Sequence, residues 1–527
     1  MNIAEILRTQ AELCPEAIAL IDVNRGRSRS LSFAELEQAA GRVAMLLHQS
    51  GLKRGDTVLV LHPMSAELYI ILTAIFRLGL VAMFLDPSAG REHIKHCCTL
   101  RPPKGVIASS RAHLLRLLSP ALRRIPAKFS IGLPVPGAIS LQRANRLRYF
   151  KTIQPCTPDS PALLTFTSGS TGEPKAALRT HGFLLAQHRA LEQTLELKAG
   201  EVDLCTQPIF VLANLASGVT SLIPDADLRR PDAIDPAPVV SQIQAHQATR
   251  STASPAFYER LVEYCDQHKT TLPSLAKIFT GGAPVWPHLL EQLQRIAPQA
   301  TIITVYGSTE AEPIARIARQ QIAAEDTAAM LGGRGLLVGR PVPIIRLRIL
   351  KNEWGNPVGP YTPTEFDAAC RPAGEAGEIV VSGEHVLPGY MNGCGDEQNK
   401  FTAAGVRWHR TGDAGYLDER GRLWLLGRCS ARIQDSHGTL YPLSVEHAAL
   451  QHDCVRRAAV VSVGGQRVLA VELRNGRLPE SQLAALFESV EFAKVQQVRV
   501  LKRMPVDKRH NSKIDYPALN SLLEKSV

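Results

Sequence analysis

Helical and strand-like segments alternate through most of the first 430 residues, and this alternation most limits how the chain can fold. Short apolar runs indicate strands, and longer segments with apolar residues at helical spacing indicate helices. We predict a helix over Leu31–Gln49 behind the capping residue Ser32, then strand 57–61, helix 65–78, strand 80–85, helix 183–197, strand 202–207, helix 236–247, strand 276–280, helix 287–296 and strand 301–305. This order is typical of parallel sheets covered by helices, so the predicted class is α/β.

The length of 527 residues predicts two or three domains. After Arg340 the pattern changes to short β-like runs, at Arg346–Leu350, Gly377–Ser382 and Leu423–Leu426. Beyond residue 430 it changes again, to strands near 458–463 and 467–473, a helix near 480–489 and a basic tail. We therefore predict a large N-terminal domain, 1–427, with helix-covered sheets and a β-rich subdomain, and a small mobile α+β domain, 428–527. The proline-rich stretch 126–160 is predicted to be a surface connection.

The charge balance concerns possible partners. The net charge is +11 and the isoelectric point is about 9.2, which raises the question of anionic partners such as nucleotides, acyl carriers or a membrane surface. A solvated basic face without a partner is the default alternative. The basic residues form no stripe interleaved with aromatic residues, so we do not expect a nucleic acid partner. The ten cysteines show no CxxC pair or repeated spacing, which indicates neither a zinc site nor a disulfide framework.

The N-terminal segment and the most apolar segment bear on location. The first residues include acidic side chains and lack the basic-then-apolar order of a signal peptide. The most apolar segment, Leu68–Leu85, is interrupted by Arg77 and Gly79, which predicts a buried helix followed by a strand. We expect no integral membrane segment and a cytoplasmic location.

The stretch TFTSGSTGEPK, Thr165 to Lys175, follows an apolar run and indicates a phosphate-binding loop. Its glycines allow sharp turns and close approach of backbone N–H groups to a ligand, its hydroxyl residues add donors, and Lys175 adds a point charge suited to phosphate. The spacing of a Walker A loop is not met, because Pro174 and Ala176 stand where Gly and Ser or Thr would be needed. The alternative is a Ser- and Gly-rich surface linker.

Three further motifs carry candidate site residues. In VYGSTE, Tyr306 offers a flat face for a purine, Thr309 a hydroxyl for phosphate, and Glu310 a carboxylate for Mg²⁺. In the segment that begins RTGD, Asp413 could accept hydrogen bonds from both ribose hydroxyls, and Arg428 could bind ribose or phosphate. The motif PVDKRHNSKI contains Lys513. Each residue also has an ordinary structural alternative: a core tyrosine, a charged hairpin turn and a solvated lysine.

In their order and spacing these motifs resemble the adenylate-forming superfamily of acyl-CoA ligases, peptide-synthetase adenylation domains and luciferases. The resemblance covers nearly the whole chain and implies that ATP is split to pyrophosphate while AMP is transferred to a carboxylic acid. It implies that Asp413 holds the ribose, Glu310 helps to hold Mg²⁺ and Lys513 bridges the carboxylate and the α-phosphate. The implied catalytic residues are Lys513, Glu310 and Thr309, and the implied nucleotide-binding residues are Thr167, Ser168, Gly169, Ser170, Thr171, Gly172, Lys175, Tyr306, Gly307, Asp413 and Arg428.

The sequence departs from an ordinary CoA ligase of this superfamily at the positions associated with thiol transfer. Ser430 replaces the usual Asp or Lys hinge, Gln434 and His437 stand where the lysine and glycine of the thiol tunnel are common, and Val211 replaces the histidine of a P-x-F-H motif. CoA is therefore possible as a co-substrate but not favoured.

The same stretches resemble a narrower branch, the olefin-pathway β-lactone synthetases. That resemblance rests on 221–236, 281–287, 305–315, 427–442 and 505–514, and it implies a long-chain 3-hydroxy acid whose own hydroxyl displaces AMP. His437, His510 and His181 are candidate bases for that hydroxyl.

Three hypotheses remain: β-lactone formation, loading of an acyl group onto CoA or another thiol, and a nucleotide-binding scaffold without chemistry. The partners expected are a small carboxylic acid and other enzymes of a lipid or olefin pathway. The acyl pocket is predicted around 208–218, 252–258 and 281–286, where small or apolar residues suit an aliphatic chain.

Overall fold

The structure is a computed structural model that describes residues 1–24, 26–168, 174–474, 480–506 and 514–525, with the side chains of 167 and 168 outside the description. Its α-helices are α1 Ile3–Leu13, α2 Phe33–Gln49, α3 Ala66–Arg77, α4 Arg91–Leu100, α5 Leu115–Leu118, α6 Pro120–Arg123, α7 His181–Leu195, α8 Pro208–Ala216, α9 Pro236–Ala245, α10 Pro255–His268, α11 Pro287–Ile296, α12 Ala324–Ala329, α13 Pro363–Ala369, α14 Asp396–Asn399, α15 Pro442–Leu450, α16 Glu480–Ser489 and α17 Tyr516–Glu524.

The strands, in chain order, are β1 Ile18–Asn24, β2 Arg27–Ser32, β3 Thr57–Leu61, β4 Val81–Met83, β5 Gly105–Ser109, β6 Ala127–Ile131, β7 Ile139–Ser140, β8 Pro161–Ser168, β9 Pro174–Thr180, β10 Val202–Cys205, β11 Thr220–Leu222, β12 Arg250–Ala253, β13 Lys277–Gly281, β14 Thr301–Ser308, β15 Ala311–Ala318, β16 Leu336–Pro341, β17 Arg346–Leu350, β18 Gly377–Ser382, β19 Lys400–Ala403, β20 Val406–Leu417, β21 Leu423–Arg428, β22 Ile433–Asp435, β23 Gly438–Leu440, β24 Val455–Val463, β25 Gln466–Leu473 and β26 Gln497–Leu501.

One large sheet has the order β7-β6-β5-β3-β4-β8-β9. Its neighbouring strands are parallel from β7 through β8, and only the last pair, β8 with β9, is antiparallel. The predicted phosphate loop connects β8 to β9. It therefore leaves the carboxyl edge of a parallel sheet, the edge where ligands bind in open α/β sheets.

The second large sheet carries the other predicted motifs. Its order is β17-β18-β20-β21-β16-β15-β14-β13-β12-β10-β11-β1-β2, with β19 pairing to β20. The pairs from β1 through β11, β10, β12 and β13 to β14 are parallel. The edge pair of β1 with β2 is antiparallel, and so are the pairs among β14 to β18, β20 and β21. This change lets β14 and β15 form a hairpin next to the β-rich region that holds β20 and β21.

A buried apolar cluster lies between the two large sheets. It includes Leu20 and Ile303 from one sheet, Val58 and Ile107 from the other, and Tyr69 of α3. Removal of this apolar surface from water is the main term that stabilises the pairing of the sheets. The cluster therefore sets the separation of the strands that carry the predicted motifs.

The last part of the chain forms a smaller sheet, β24-β25-β26. Helix α15 precedes this sheet and packs against the second large sheet, where the ring of His447 stacks on Trp286 with centroids 4.1 Å apart. Burial lowers the pKa of His447 to about 4, so this ring is neutral at physiological pH. The division into 1–427 and 428–527 stays a prediction.

Many expected elements are confirmed. Helices 287–296 and 480–489 match α11 and α16, and α2 begins behind Ser32 with a reciprocal capping box. In that box the N–H of Glu35 donates to Ser32 Oγ at 3.2 Å, and the N–H of Ser32 donates to Glu35 Oε2 at 2.8 Å. The predicted α/β class, with helix-covered sheets and a β-rich region, is also confirmed.

The proline-rich stretch 126–160 is not merely a surface connection, and that prediction was wrong. It contains β6, which pairs in parallel with β5 and buries Phe129 completely. The prolines at 126, 134 and 136 lie outside the strand, so they remove no ladder hydrogen bond.

Among the helices of the described residues, none has the combination of length and apolarity that a membrane crossing would need.

A buried ion pair supports the strand that carries Asp413. Arg410 and Glu378 are each about 1% exposed, and Arg410 Nη2 lies 2.6 Å from Glu378 Oε2. Arg410 also donates to the carbonyl of Asn356 at 2.7 Å. Burial raises the pKa of Glu378, and the guanidinium opposes that rise. The charged side chains of Arg410 and Glu378 therefore stabilise each other in the core.

Replacement of Arg410 by methionine should destabilise the fold by about 3–5 kcal/mol, because Glu378 would be left buried without its partner. The measurement is the shift of the urea-unfolding midpoint. Arg189→Met is the matched control, since Arg189 and Glu384 pair at 2.9 Å while 64% and 82% exposed. The control variant should lower the free energy of unfolding by less than about 1 kcal/mol. Equal shifts of the unfolding midpoint in the two variants would show that burial of the Arg410–Glu378 pair does not determine how much the pair stabilises the fold.

Candidate active site

The first component of the site is the hairpin turn between β14 and β15, which presents Thr309 and Glu310. The N–H of Ala311 donates to Ser308 Oγ at 3.2 Å and closes the turn. At Gly307, an added Cβ would lie 3.1 Å from the carbonyl oxygen of Ala311, so a larger residue would crowd the turn. Thr309 is exposed and Glu310 is half-buried. The sequence therefore places a hydroxyl and a carboxylate at the tip of a rigid hairpin.

The second component joins three strands through one carboxylate. Asp413 of β20 lies opposite Arg428 of β21, and Arg428 Nη1 approaches Asp413 Oδ1 at 3.0 Å. Tyr306 of β14 donates its hydroxyl proton to Asp413 Oδ2 at 2.8 Å. The charge of Asp413 raises the pKa of Arg428. Each carboxylate oxygen still has lone pairs for a further donor, as ribose hydroxyls would require.

The position of Lys175 next to the loop is fixed by packing. Lys175 is 6% exposed, and its Nζ lies 5.6 Å from the centroid of the Tyr390 ring. At Gly395, where φ is +88°, an added Cβ would come within 2.6 Å of Lys175 Cε. Lys175 therefore occupies space that a side chain at position 395 would fill.

Tyr390 connects this lysine to the hairpin. Its hydroxyl donates to Glu310 Oε1 at 2.8 Å, while its ring faces Lys175. The N–H of Leu387 donates to the carbonyl oxygen of Glu310 at 2.7 Å, so the same segment also holds the backbone of the turn. Tyr390 thus contacts both Glu310 and Lys175.

A buried arginine ties the two large sheets together at this point. Arg179 of β9 donates to Thr165 Oγ1 of β8 at 2.8 Å and to the carbonyl oxygen of Thr309 at 2.8 Å. Burial lowers the pKa of Arg179, and the charges of Glu310 and Glu312 oppose that shift. Burial also raises the pKa of Glu312 to about 7.

A second lysine lies beside the same tyrosine ring. Lys400 is buried, its Nζ donates to the carbonyl oxygen of Leu387, and it lies 5.6 Å from the centroid of the Tyr390 ring. Burial lowers the pKa of Lys400 to about 7, although the charge of Glu310 opposes this shift. Burial and the charge of Lys400 keep the pKa of His409 well below its usual range. The site therefore holds three buried basic side chains, Lys175, Arg179 and Lys400, which suit contact with a polyphosphate.

The structure brings together the predicted residues Tyr306, Gly307, Thr309, Glu310, Asp413, Arg428 and Lys175. The predicted residues Gly169, Ser170, Thr171, Gly172 and Lys513, and the side chains of Thr167 and Ser168, lie outside the described residues. Their assignments stay predictions.

Sequence reasoning missed Arg179, Tyr390 and Lys400. A positively charged residue after the apolar run Ala176, Ala177 and Leu178 of β9 was a signal for Arg179, because a charged residue is rarely buried without a partner. Tyr390 follows a Pro-Gly pair that predicts only a turn. Nothing local marks Lys400 as a site residue.

The structure removes one of the three histidines that were predicted as a base for the attack of the substrate hydroxyl. His181 is fully buried in the core, where its Nδ1 accepts the N–H of Ile3 at 3.2 Å, and burial lowers its pKa to about 4. It holds the start of α1 and is not a base at the site. His437 is exposed at the turn between β22 and β23, and His510 lies outside the described residues.

The predicted acyl-pocket stretches are tightly packed in this structure. Phe210 and Ala213 belong to the core between the large sheets, and Ala253 belongs to the neighbouring core cluster. At Gly281, an added Cβ would lie 2.2 Å from the carbonyl oxygen of Val305, so β13 and β14 approach closely there. The pocket assignment stays a prediction.

Comparison with known proteins gives relatives over most of the chain. The family described as AMP-binding enzyme matches residues 7–391. An olefin beta-lactone synthetase of Xanthomonas campestris pv. campestris is 32% identical over 97% of this chain and 96% of its own length. A protein of the same name from Stenotrophomonas maltophilia is 31% identical over 92% of this chain and 90% of its own length.

The fold is also that of a solved enzyme. The crystal structure of an anthranilate CoA ligase in complex with anthranoyl-AMP matches with a TM-score of 0.82 and 17% identity, covering 100% of this chain and 98% of that one. The family match, the two relatives and the arrangement of Tyr306, Glu310 and Asp413 agree. The chain belongs to the AMP-binding enzyme family and is an adenylate-forming ligase.

Proposed function

We propose that the protein uses ATP to adenylate a long-chain 3-hydroxy acid and then closes that acid to a β-lactone. The adenylation step rests on one observation above all: Tyr306, which donates to Asp413 beside Arg428, lies on the same hairpin as Glu310, and Tyr390 connects Glu310 to Lys175. The lactone step is supported by the two relatives named as β-lactone synthetases.

The residues divide between the two ends of the nucleotide. Tyr306 offers its ring to the purine, and Asp413, oriented by Tyr306 and Arg428, accepts the ribose hydroxyls. Lys175, buried beside Tyr390, serves the phosphates that leave as pyrophosphate. Because the pocket is desolvated, its charges act more strongly on the phosphates than they would in water.

Glu310 fits a magnesium ion by its chemistry and its orientation. Mg²⁺ prefers oxygen ligands, and the hydroxyl of Tyr390 fixes Oε1 and so orients the carboxylate. When bound, the ion would neutralise charge on the phosphate oxygens as the α-phosphorus is attacked. Lys513 would stabilise the same charge from the C-terminal part of the chain.

The second step needs no external thiol. After adenylation the 3-hydroxyl of the same molecule attacks the acyl carbon, the bond to the AMP oxygen breaks, and the hydroxyl proton passes to a base. A tethered nucleophile can gain about 7–11 kcal/mol over a bimolecular attack, part of which ring strain in the lactone offsets. Ser430, Gln434 and His437, which differ from the common thiol-transfer residues, are compatible with this route. In the structure all three are exposed.

One set of incubations tests the product. ATP is supplied with a long-chain fatty acid or with its 3-hydroxy analogue, each with and without CoA, and the products are separated by mass spectrometry. We expect a lactone and AMP from the 3-hydroxy acid without CoA, since the nucleophile is part of the substrate. A thioester that requires CoA would instead make the protein an acyl-CoA ligase. The absence of ATP–pyrophosphate exchange on every acid would contradict adenylation itself.

Replacement of Asp413 by asparagine tests the ribose site. Hydrogen bonds to a charged group contribute about 1.5–3 kcal/mol, so the KM for ATP should rise by about 10- to 100-fold with a smaller change in kcat. The measurement is ATP–pyrophosphate exchange at varied ATP. Glu419→Gln, at an exposed turn of the same β-hairpin, is the control and should leave KM unchanged. An unchanged KM in Asp413→Asn would remove the ribose assignment.

Replacement of Lys513 by alanine tests the adenylation step. The lysine is proposed to act on charge that develops only in the transition state, so kcat for pyrophosphate exchange should fall by about 100- to 1,000-fold. ATP affinity, measured by equilibrium binding, should change little. Lys502→Ala removes an exposed lysine nearby in the sequence and should keep wild-type exchange. Wild-type exchange in Lys513→Ala would show that the role belongs elsewhere.

A further inference from the structure

The positive charge of the chain is concentrated in one segment. Residues 93–158 contain twelve lysines and arginines and no aspartate or glutamate, whereas the whole chain has a net charge of +11. The rest of the molecule is therefore close to neutral. This segment forms α5, α6, β5, β6 and β7 at the far end of the seven-stranded sheet from the phosphate loop.

The same segment exposes a cluster of leucines. The exposed fractions are 62% for Leu114, 72% for Leu117, 51% for Leu118 and 70% for Leu133. Large apolar residues exposed singly are ordinary, but a group of them in one place marks an interaction surface. We call these leucines, with Arg111, Arg116, Arg123 and Arg124, the leucine–arginine patch.

Hydrogen bonds hold the parts of the patch together. Ser110 Oγ donates to the carbonyl oxygen of Leu133 at 2.7 Å, which joins the loop after β6 to the start of the helical turn. Arg123 Nη2 donates to the carbonyl oxygen of Leu117 at 3.1 Å. Arg116 Nη1 lies 3.5 Å from the carbonyl oxygen of Pro136. The leucines therefore belong to one continuous surface.

The arginines of the patch have no acidic partner in the part of the chain that the structure describes. Over the described ranges of the chain, none of the ion pairs within 4.0 Å involves Arg111, Arg116, Arg123 or Arg124. Arg111, Arg123 and Arg124 are exposed. A partner with negative charge would complete this surface.

We propose that the leucine–arginine patch binds the surface of an anionic lipid bilayer. Apolar side chains that enter the acyl boundary, surrounded by arginines that face anionic headgroups, are the pattern of interfacial binding. Leucines more than half exposed project from the surface, whereas residues that line a protein-binding groove are partly enclosed by its walls. The patch also lacks the tyrosine and tryptophan that are enriched in protein interfaces.

The seven-stranded sheet places this patch along the same edge as the phosphate loop, where a lipid substrate would be activated. Strands β5, β6 and β8 are parallel members of one sheet, so their carboxyl ends lie along one edge. The patch follows β5 and β6, and the phosphate loop follows β8. Three to four strand spacings separate them, or roughly 14–19 Å. A bound bilayer would therefore face the edge of the sheet from which the phosphate loop extends.

Sedimentation of the full chain with vesicles tests the proposal. Vesicles of phosphatidylcholine with phosphatidylglycerol should bind the protein, vesicles of phosphatidylcholine alone should bind it at least about tenfold less, and high salt should reverse the binding. The variant Leu117→Ser/Leu118→Ser should lose at least about tenfold in partitioning to the anionic vesicles. Arg111→Gln/Arg124→Gln should weaken the salt dependence.

The matched control is Leu13→Ser, since Leu13 is also 72% exposed but lies at the end of α1. It should bind vesicles like the wild type. Equal losses in Leu13→Ser, or no binding of the wild type to anionic vesicles, would overturn the proposal, and the second result would point to an acidic protein partner. ATP–pyrophosphate exchange with a soluble short-chain acid should be unchanged in the leucine variant. A failure of vesicle binding is thus distinguishable from a failure of the adenylation proposal.

Discussion

The two hydrogen bonds of Arg179 are the constraint on which the rest of the site depends. One reaches Thr165 beside the phosphate loop, and the other reaches the carbonyl oxygen of Thr309 at the hairpin tip. These groups belong to different sheets, so their distance is not set by any strand pairing. A guanidinium can donate in two fixed directions at once, whereas a lysine offers a single point charge. The arginine therefore fixes the phosphate side of the site relative to the side that holds Glu310.

The electrostatics of the site follow from that assembly. Lys175, Lys400 and Arg179 are each less than 10% exposed. The charge of Glu310 acts on Lys400 and on Arg179, and the charge of Glu312 also acts on Arg179. The lowered pKa of Lys400 and the raised pKa of Glu312, both about 7, have the same cause, since burial disfavours each charged form. A polyphosphate that enters this region would favour the charged lysine and disfavour the charged carboxylate. The site thus gains positive charge as such a ligand binds.

The sequence predicted those parts of the structure that short-range rules determine. The bounds of α11 and α16, and the capping box of α2, follow from periodicity and caps within a few residues. Tyr306, Glu310 and Asp413 were found because each lies in a short motif. Tyr390 and Arg179 were missed because their partners Glu310 and Thr309 lie 80 and 130 positions away, and only the tertiary fold brings them together. Strand β6 was missed because its prolines suggested a loop, although they lie outside the strand.

The proposed product gives a physical reason to combine this site with a lipid-binding surface. A long-chain 3-hydroxy acid is an anionic amphiphile, and lactone closure removes both its carboxylate charge and its hydroxyl donor. The product is therefore more apolar than the substrate and partitions more strongly into a bilayer. The arginines of the leucine–arginine patch would attract the anionic substrate as well as the headgroups, while they would have no such attraction for the neutral lactone. Charge loss during the reaction would thus favour release of the product into the membrane.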